Sequence, residues 1–259
     1  MSKLTVLLPA YNEEENVEEL VENWLGYEEK IKTTYNIELN IVVINDGSQD
    51  NTKQISEKLE AKYSNFKLIN HEANGGLGEG IKTAIKYVIK NSIDKDYACI
   101  MDCDNTQDPK YIMDMLRIGR VHEEEIGADI IIASRFQKGS SVKGLSKFRH
   151  LTSAGAKFVY SSVLRIKNVK DYTCGYRLYK VSILKKGYDY FGENIIEQTG
   201  FTCMAEILYK LYAVGGVCDE IPFELRYDYK KGASKMNILK TSIDSLYLAF
   251  HLRKLHIDI

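Results

Sequence analysis

The chain has 259 residues, 44% of them hydrophobic, which is enough for the core of one large domain or two small ones. Its 35 basic and 36 acidic residues give a net charge of -1, so the overall field gives no reason to expect a nucleic-acid partner. Five cysteines without a Cys-x-x-Cys pair exclude a zinc framework and favour reduced thiols in the cytoplasm. The N-terminus carries no secretory signal pattern and no run approaches about 18 apolar residues, which predicts a protein that is soluble or at most peripheral to a membrane.

Strands alternate with helices through the first 135 residues. The predicted strands cover residues 4–9, 39–44, 66–70, 97–101 and 128–135. This alternation predicts βαβ units and therefore an α/β fold with a mostly parallel sheet. In such sheets ligands bind at the carboxyl ends of the strands, which is where Pro9, Asp46 and the Asp102/Asp104 pair lie.

Two aspartates mark the carboxyl end of the fourth predicted strand. Asp102 and Asp104 are two residues apart, so in an extended chain both carboxylates can point to the same side. Paired carboxylates in this position suit Mg²⁺ or Mn²⁺, which proteins often hold through one or two carboxylates together with substrate phosphates. An Asp-x-Asp tripeptide is also a common solvated turn, so the metal interpretation depends on the surrounding motifs.

A glycine-rich turn at residues 74–80 joins the third strand to the next helix. Its glycines do not have the Gly-x-Gly-x-x-Gly spacing and do not follow the first strand, which excludes a dinucleotide fingerprint. No Walker lysine follows it. Two interpretations stay open: a tight connection that allows close packing, and backbone contact with a phosphate.

The pattern changes after residue 135. Further predicted elements are a helix at 145–164, a turn into a short strand at 171–179, a helix at 200–212, a strand at 217–223 and a terminal helix at 238–255. Arg149 and Ser153 are four residues apart and share a helix face, and with Arg135 they would form an anion site. A solvent-exposed salt bridge is the alternative for Arg149. The terminal helix suits either packing on the core or lying on a membrane surface.

Seven motifs occur along the chain, most of them at predicted strand ends. In order they are Pro9-Ala10-Tyr11-Asn12-Glu13, Asp46-Gly47-Ser48 with Asp50, Asn74 with Gly76-Leu77-Gly78, Asp102-x-Asp104, Ser134-Arg135, Thr173-Cys174-Gly175-Tyr176-Arg177 and Gly232-x-Ser234-Lys235. Together they resemble the layout of family 2 inverting glycosyltransferases, and most closely the dolichyl- or polyprenyl-phosphate mannosyl- and glucosyltransferase branch. The resemblance runs from residue 4 to about residue 240.

The resemblance implies a single GT-A-type domain of the nucleotide-diphospho-sugar transferase kind, with a Rossmann-like, mostly parallel central sheet flanked by helices. Residues 1–240 would form the catalytic domain, with a nucleotide-sugar-binding half at 1–135 and an acceptor-binding half at 136–240. Residues 241–259 would form a C-terminal helix near the membrane. The donor-binding residues that it implies are Pro9, Tyr11, Glu13, Asp46, Asp102 and Cys103.

The resemblance also implies the chemistry of the site. Asp102 and Asp104 would hold Mg²⁺ or Mn²⁺ on the donor diphosphate. Relatives often have a metal-supporting Gln where Thr106 stands, so the third ligand is either Gln107 or Thr106. Lys235 matches the basic residue of a late loop that closes over the donor phosphates.

The acceptor side carries a lipid-phosphate pattern in the mannosyltransferase-like enzymes. Arg135, Arg149 and Ser153 match its two arginines and its serine. Tyr229 stands where these enzymes place another Arg, so Arg226 either substitutes for it or is structural. Relatives often continue into membrane spans. For this chain, the resemblance implies that the lipid is reached at the cytoplasmic face, either by peripheral docking or with a membrane partner.

The expected reaction is a metal-dependent transfer of a hexose, with inversion, from a GDP- or UDP-sugar to a polyprenyl or dolichyl phosphate. A phosphate monoester is already largely an anion at neutral pH and needs no base, and the chain lacks the late acidic pair and the Gln-x-x-Arg-Trp segment common with hydroxyl acceptors. The alternatives are a family 2 enzyme acting on a hydroxyl acceptor in cell-surface polysaccharide synthesis, a nucleotidyltransferase, and a nucleotide-sugar-binding module without turnover.

Overall fold

The computed structural model describes residues 1–120, 127–231 and 238–255. The strands in these ranges are β1 (Ser2–Ala10), β2 (Ile37–Asn45), β3 (Phe66–Asn70), β4 (Tyr97–Ile100), β5 (Ile130–Ser134), β6 (Ser141–Lys143), β7 (Arg177–Lys180), β8 (Cys218–Pro222) and β9 (Glu224–Arg226). Seven of them form a central sheet in the order β3-β2-β1-β4-β7-β5-β8, and β6 pairs with β9 in a small separate sheet.

The sheet is parallel except at β7, which runs antiparallel to both β4 and β5. The parallel strands are buried runs of Leu, Ile and Val, as expected for strands covered on both faces. The predicted mostly parallel sheet is therefore confirmed. The reversed direction of β7 was not predicted, because its four residues, RLYK, carry no local signal of strand direction.

Helices cover both faces of the sheet. Their bounds are α1 (Val17–Leu25), α2 (Glu28–Tyr35), α3 (Thr52–Lys62), α4 (Leu77–Asn91), α5 (Ile112–Arg120), α6 (Lys147–Val163), α7 (Val181–Phe191), α8 (Cys203–Ala213) and α9 (Ile238–Arg253). Helices α2 and α7 were not predicted from the sequence. Gly187 weakens the helical pattern of α7, and a Cβ at this position would lie 2.4 Å from Leu211 Cδ2, so a larger residue would require that side chain to move.

The last helix, α9, packs against α6 and has two different faces. Leu248 and Leu252 are buried in the core, whereas Tyr247 is 73% exposed. One face of this helix thus packs on the core, and the membrane interpretation stays a prediction. Within the residues that the structure describes, no helix is long and apolar enough to cross a membrane.

Candidate active site

A cleft of about 530 Å³ opens at the carboxyl ends of the central strands. It brings together every predicted site residue that the structure describes. These lining residues are Pro9, Tyr11, Glu13, Asp46, Asp102, Cys103, Asp104, Gln107, Arg135, Arg149 and Ser153. Lys235, the remaining predicted residue, lies outside the described residues.

The wall formed by the β1–α1 loop is fixed by the neighbouring β2–α3 loop. The backbone N–H of Asn12 donates to Ser48 Oγ at 2.9 Å, and the N–H of Gln49 donates back to Asn12 Oδ1 at 2.8 Å. Asn12 has a φ of 53°, a left-handed conformation that Asn tolerates better than most residues. The N–H of Glu13 donates to Thr52 Oγ1 at 2.8 Å. These contacts hold the Tyr11 to Glu13 segment against the cleft.

Asp46 lies at the end of β2 and is held by the glycine-rich turn. Its carboxylate accepts hydrogen bonds from the N–H groups of Gly75, at 3.0 Å, and Gly76, at 2.8 Å. The ring nitrogen Nδ1 of His71 lies 2.7 Å from Asp46 Oδ1, and its Nε2 lies 2.9 Å from Thr83 Oγ1. Two amides of the turn are thus engaged with a protein carboxylate.

The same turn makes a close contact with a loop that precedes α8. The N–H of Gly78 donates to the carbonyl of Thr199 at 3.0 Å. A Cβ on Gly78 would lie 1.8 Å from the carbonyl oxygen of Gln198, and one on Gly76 would lie 2.5 Å from that of Thr199. The glycines therefore permit close backbone approach, which agrees with the packing interpretation of this turn.

A buried ion pair on α8 positions that loop. Glu206 and Lys210 are each 1% exposed, and their charged groups lie 2.7 Å apart. The Glu206 carboxylate also accepts from the N–H groups of Glu197, at 3.0 Å, and Gln198, at 2.9 Å. The sequence analysis missed this pair. A Glu and a Lys four residues apart on an otherwise apolar helix are the signal that would have indicated it.

The Asp102/Asp104 pair lies at the centre of the cleft. Asp102 Oδ2 accepts from Gln107 Nε2 at 2.8 Å. Loss of water contact, reinforced by the nearby charge of Asp104, raises the pKa of Asp102 to about 6. Asp104 Oδ1 accepts from Thr106 Oγ1 at 2.6 Å, and its Oδ2 forms an ion pair with Lys230. The sequence analysis did not identify Lys230 as a site residue.

This arrangement fits a divalent cation. The Oε1 atom of Gln107 is buried and has no hydrogen-bond partner among the described residues, whereas the hydroxyl of Thr106 is engaged with Asp104. Gln107 is therefore better placed than Thr106 to add an oxygen ligand to the two carboxylates. In the described ranges no cluster of three or more His, Cys, Asp or Glu side chains forms a complete metal site. Such an ion would take further ligands from a bound substrate.

Another part of the cleft contains a buried ion pair between Arg135 and Asp171. Arg135 donates from Nη2 to Asp171 Oδ1 at 2.6 Å and from Nε to Asp171 Oδ2 at 2.8 Å. The same guanidinium donates to Thr173 Oγ1 at 2.6 Å and to Ser153 Oγ at 3.3 Å. Burial acts to raise the pKa of Asp171, but the charge and hydrogen bonds of Arg135 outweigh it and lower the pKa below its usual value.

Arg149 lies on the same helix face as Ser153, as predicted. Its guanidinium donates to the hydroxyl of Tyr227 and lies 5.1 Å from the centre of that ring. Arg226, the other candidate from the sequence, lines a separate surface cavity and pairs with Asp228 at 2.8 Å. The structure thus places Arg149 in the cleft, whereas Arg226 is engaged outside it.

Comparison with known proteins identifies the family. The profile described as "Glycosyl transferase family 2" matches residues 5–188, which is more than half of the chain. The chain belongs to glycosyl transferase family 2. This confirms the family resemblance found in the sequence.

Individual relatives extend this comparison. A dolichol-phosphate mannosyltransferase of Pyrococcus furiosus is 29% identical over 212 residues, which are 80% of this chain and 53% of the relative. This chain thus matches about half the length of that glycosyltransferase. Two solved structures share the fold of this family 2 chain. S. aureus TarS in complex with UDP-GlcNAc has a TM-score of 0.59 and 18% identity, covering 97% of this chain and 65% of that one. The mannosyltransferase PcManGT from Pyrobaculum calidifontis, in complex with GDP-Man and Mn²⁺, has a TM-score of 0.53 and 13% identity. The match covers 96% of this chain and 72% of that one.

Proposed function

We propose that this family 2 glycosyltransferase moves a hexose, with inversion, from a GDP- or UDP-sugar to a polyprenyl or dolichyl phosphate, using Mg²⁺ or Mn²⁺. One observation carries the proposal: the cleft combines a carboxylate-lined part, called the first end, with an arginine-bearing part, called the second end. The carboxylates that line its described part are Glu13, Asp46, Asp102 and Asp104, all on the strand-end loops of the first half of the chain, and Lys230 pairs with Asp104. The second end presents Arg135 and Arg149, and Arg135 is close enough to Asp102 for their charges to interact.

The charge of the second end suits an acceptor that is already an anion. A sugar hydroxyl would need a carboxylate close to its proton, and the carboxylates that line the described cleft are the ones that we assign to the donor and its cation. Asp171 is fully buried, and both of its carboxylate oxygens accept hydrogen bonds from the Arg135 guanidinium. A phosphate monoester needs positioning more than deprotonation. Guanidinium groups together with a hydroxyl can position it through charged hydrogen bonds.

The first end suits a nucleotide sugar. Asp102, Asp104 and Gln107 would hold the cation on the donor diphosphate, and Pro9, Tyr11, Glu13, Asp46 and Cys103 would line the donor pocket. When bound, the cation would stabilise the charge that develops on the leaving nucleoside diphosphate. Arg135, Arg149 and Ser153 would orient the acceptor phosphate for attack on the anomeric carbon. The assignment of Lys235 to the donor phosphates stays a prediction.

The relatives support this choice of substrates. One is named a dolichol-phosphate mannosyltransferase, and a structure of the same fold holds GDP-Man and Mn²⁺. These names describe those proteins. They motivate testing GDP-mannose and Mn²⁺ first with this chain.

An exposed apolar stripe beside the cleft supports a lipid acceptor. We define the α9 stripe as Ile243, Leu246, Tyr247 and Phe250, which lie at helical spacings of three and four and are 68%, 46%, 73% and 59% exposed. The same helix lines the cleft through Thr241, Ser242 and Ser245. We propose that this stripe rests on the cytoplasmic face of the membrane that carries the lipid phosphate, without requiring a membrane partner protein.

The test is nucleoside-diphosphate release from a panel of GDP- and UDP-sugars, with Mn²⁺ or Mg²⁺, with and without a short polyprenyl phosphate. We expect release that requires both the metal and the lipid phosphate. Release with a glycan acceptor but without lipid phosphate would overturn the acceptor assignment. Donor binding without release under any acceptor would point to a binding module.

A second arm tests the stripe. Tyr247→Glu should lower turnover of acceptor embedded in vesicles of anionic phospholipid, while turnover of a short, soluble polyprenyl phosphate stays near normal. Tyr190→Glu is the matched control, since Tyr190 is 47% exposed on α7, away from the α9 stripe. An equal loss with both acceptors would indicate a structural role for Tyr247.

A further inference from the structure

Lys230 lies in a segment that is tied to the Asp102/Asp104 loop. The backbone N–H of Arg226 donates to the carbonyl of Thr106 at 2.9 Å, and that of Lys230 donates to the carbonyl of Tyr227 at 3.3 Å. Thr106 in turn donates to Asp104. These backbone contacts hold the segment that carries Lys230, so its side chain lies next to Asp104.

The Lys230 to Asp104 ion pair is sheltered from water. The two side chains are 15% and 13% exposed, whereas the neighbouring pair of Lys231 and Glu19 is 50% and 55% exposed. Lys230 also lies 5.7 Å from the centre of the Tyr227 ring. A positive charge is thus held on one of the two carboxylates assigned to the metal.

A cation and this ammonium compete for the same group. Asp104 Oδ1 already accepts from Thr106, and Oδ2 is taken by Lys230. A divalent ion bound to Asp104 would stand beside the ammonium with like charge, so their repulsion disfavours simultaneous binding at Oδ2. The nearest new anion would be the donor diphosphate, and a lysine has a flexible stem that can reach a neighbouring group.

We infer that Lys230 holds Asp104 while the site lacks a metal ion, and transfers its contact to the donor diphosphate when the metal and the donor bind. Lys230 is therefore a donor-binding residue that makes binding of the cation and of the nucleotide interdependent. The ion alone must displace the ammonium without compensation, whereas the ion together with the donor gives the ammonium a new partner. This inference rests on the donor site of the proposed function and is independent of the acceptor.

The test measures binding without catalysis. Mn²⁺ affinity is measured by electron paramagnetic resonance and calorimetry in the absence of nucleotide, and the affinities of GDP and UDP are then measured in the presence of Mn²⁺. Lys230→Met should tighten the binding of Mn²⁺ alone by about tenfold and weaken Mn²⁺-dependent nucleotide binding by about tenfold. Opposite changes in the two affinities are the expected signature. Lys230→Gln provides a second neutral variant.

Two controls complete the design. Lys230→Arg retains the charge and should keep both affinities close to those of the native chain. Lys231→Met removes the adjacent, exposed lysine and should change neither affinity. Unchanged or weaker binding of Mn²⁺ alone in both neutral variants overturns the inference. A native chain that binds neither Mn²⁺ nor either nucleotide would instead overturn the proposed donor site itself.

Discussion

The carboxylates and the arginines of the cleft would meet the two proposed substrates in different ways. At the proposed donor end, Asp102 and Asp104 present negative charge, so a diphosphate would bind there through a cation. At the proposed acceptor end, Arg135 and Arg149 present positive charge and would meet a phosphate directly. The proposed function thus distinguishes two phosphate-bearing substrates by the sign of the protein charge that each one meets.

The two ends also differ in what holds them in place. The donor end depends on short hydrogen bonds between strand-end loops and on glycine contacts, such as that of Gly78 with Thr199. The acceptor end depends on one buried ion pair, Arg135 with Asp171. A change at the Arg135 and Asp171 pair should therefore act mainly through folding, whereas a change at Asp102 or Asp104 should act mainly through chemistry.

The largest expected effect is on stability at the acceptor end. Asp171→Asn should lower the free energy of unfolding by about 3 kcal/mol at neutral pH, because it leaves the Arg135 charge uncompensated. Denaturant unfolding of the native chain and the variant at pH 7 and pH 3 measures this.

The pH dependence sharpens that prediction. Because folding lowers the pKa of Asp171, its contribution is present above the unfolded value of about 4 and is lost as the pH falls through the folded pKa. The difference between the native chain and Asp171→Asn should therefore shrink below about pH 4. Asp94→Asn, which alters an exposed pair with Lys185, is the control. A difference that stays constant with pH would contradict the assignment.

The next effect is on chemistry at the donor end. Asp104→Asn should reduce metal-dependent turnover by about 100-fold or more while thermal unfolding stays near that of the native chain. Asp108→Asn is the matched control, since Asp108 is outside the cleft and pairs with Lys110. Turnover that survives in Asp104→Asn with its metal dependence intact would exclude Asp104 as a ligand.

A smaller effect should distinguish the binding of the proposed acceptor from the binding of the proposed donor. Arg149→Ala should raise the KM for polyprenyl phosphate by about tenfold, because one charged hydrogen-bond donor is lost, and should leave donor affinity unchanged. Arg117→Ala, at an exposed arginine on α5, is the control. Equal losses for both substrates would indicate that Arg149 supports the structure of the cleft.

The last comparison concerns two glycines in helices, and its smaller effect is expected at Gly155. Gly78→Ala should destabilise the chain by about 1–3 kcal/mol because its Cβ would overlap the Gln198 carbonyl. Gly155→Ala should stabilise it by about 0.5–1 kcal/mol, since nothing lies within 4 Å of that Cβ and Ala favours a helix. Denaturant unfolding gives both values. A Gly78→Ala variant that is as stable as the native chain, or more stable, would exclude close packing as the role of Gly78.

The sequence by itself determined the parallel half of the fold and most of the candidate site. Apolar runs, helical spacing and polar strand ends are local properties, so they predicted the strand from Phe66 to Asn70 and brought Asp46, Asp102 and Asp104 to one edge of the sheet. The spacing of Arg149 and Ser153 likewise predicted their shared face.

Only the tertiary structure decided the features that join distant parts of the chain. The direction of β7 follows from its neighbours β4 and β5. Lys230 meets Asp104 across 126 residues, and the Glu206 and Lys210 pair supports a loop against the glycine turn. Such contacts depend on how the elements pack: the spacing of Glu206 and Lys210 indicates their pairing, but not the loop that the pair supports.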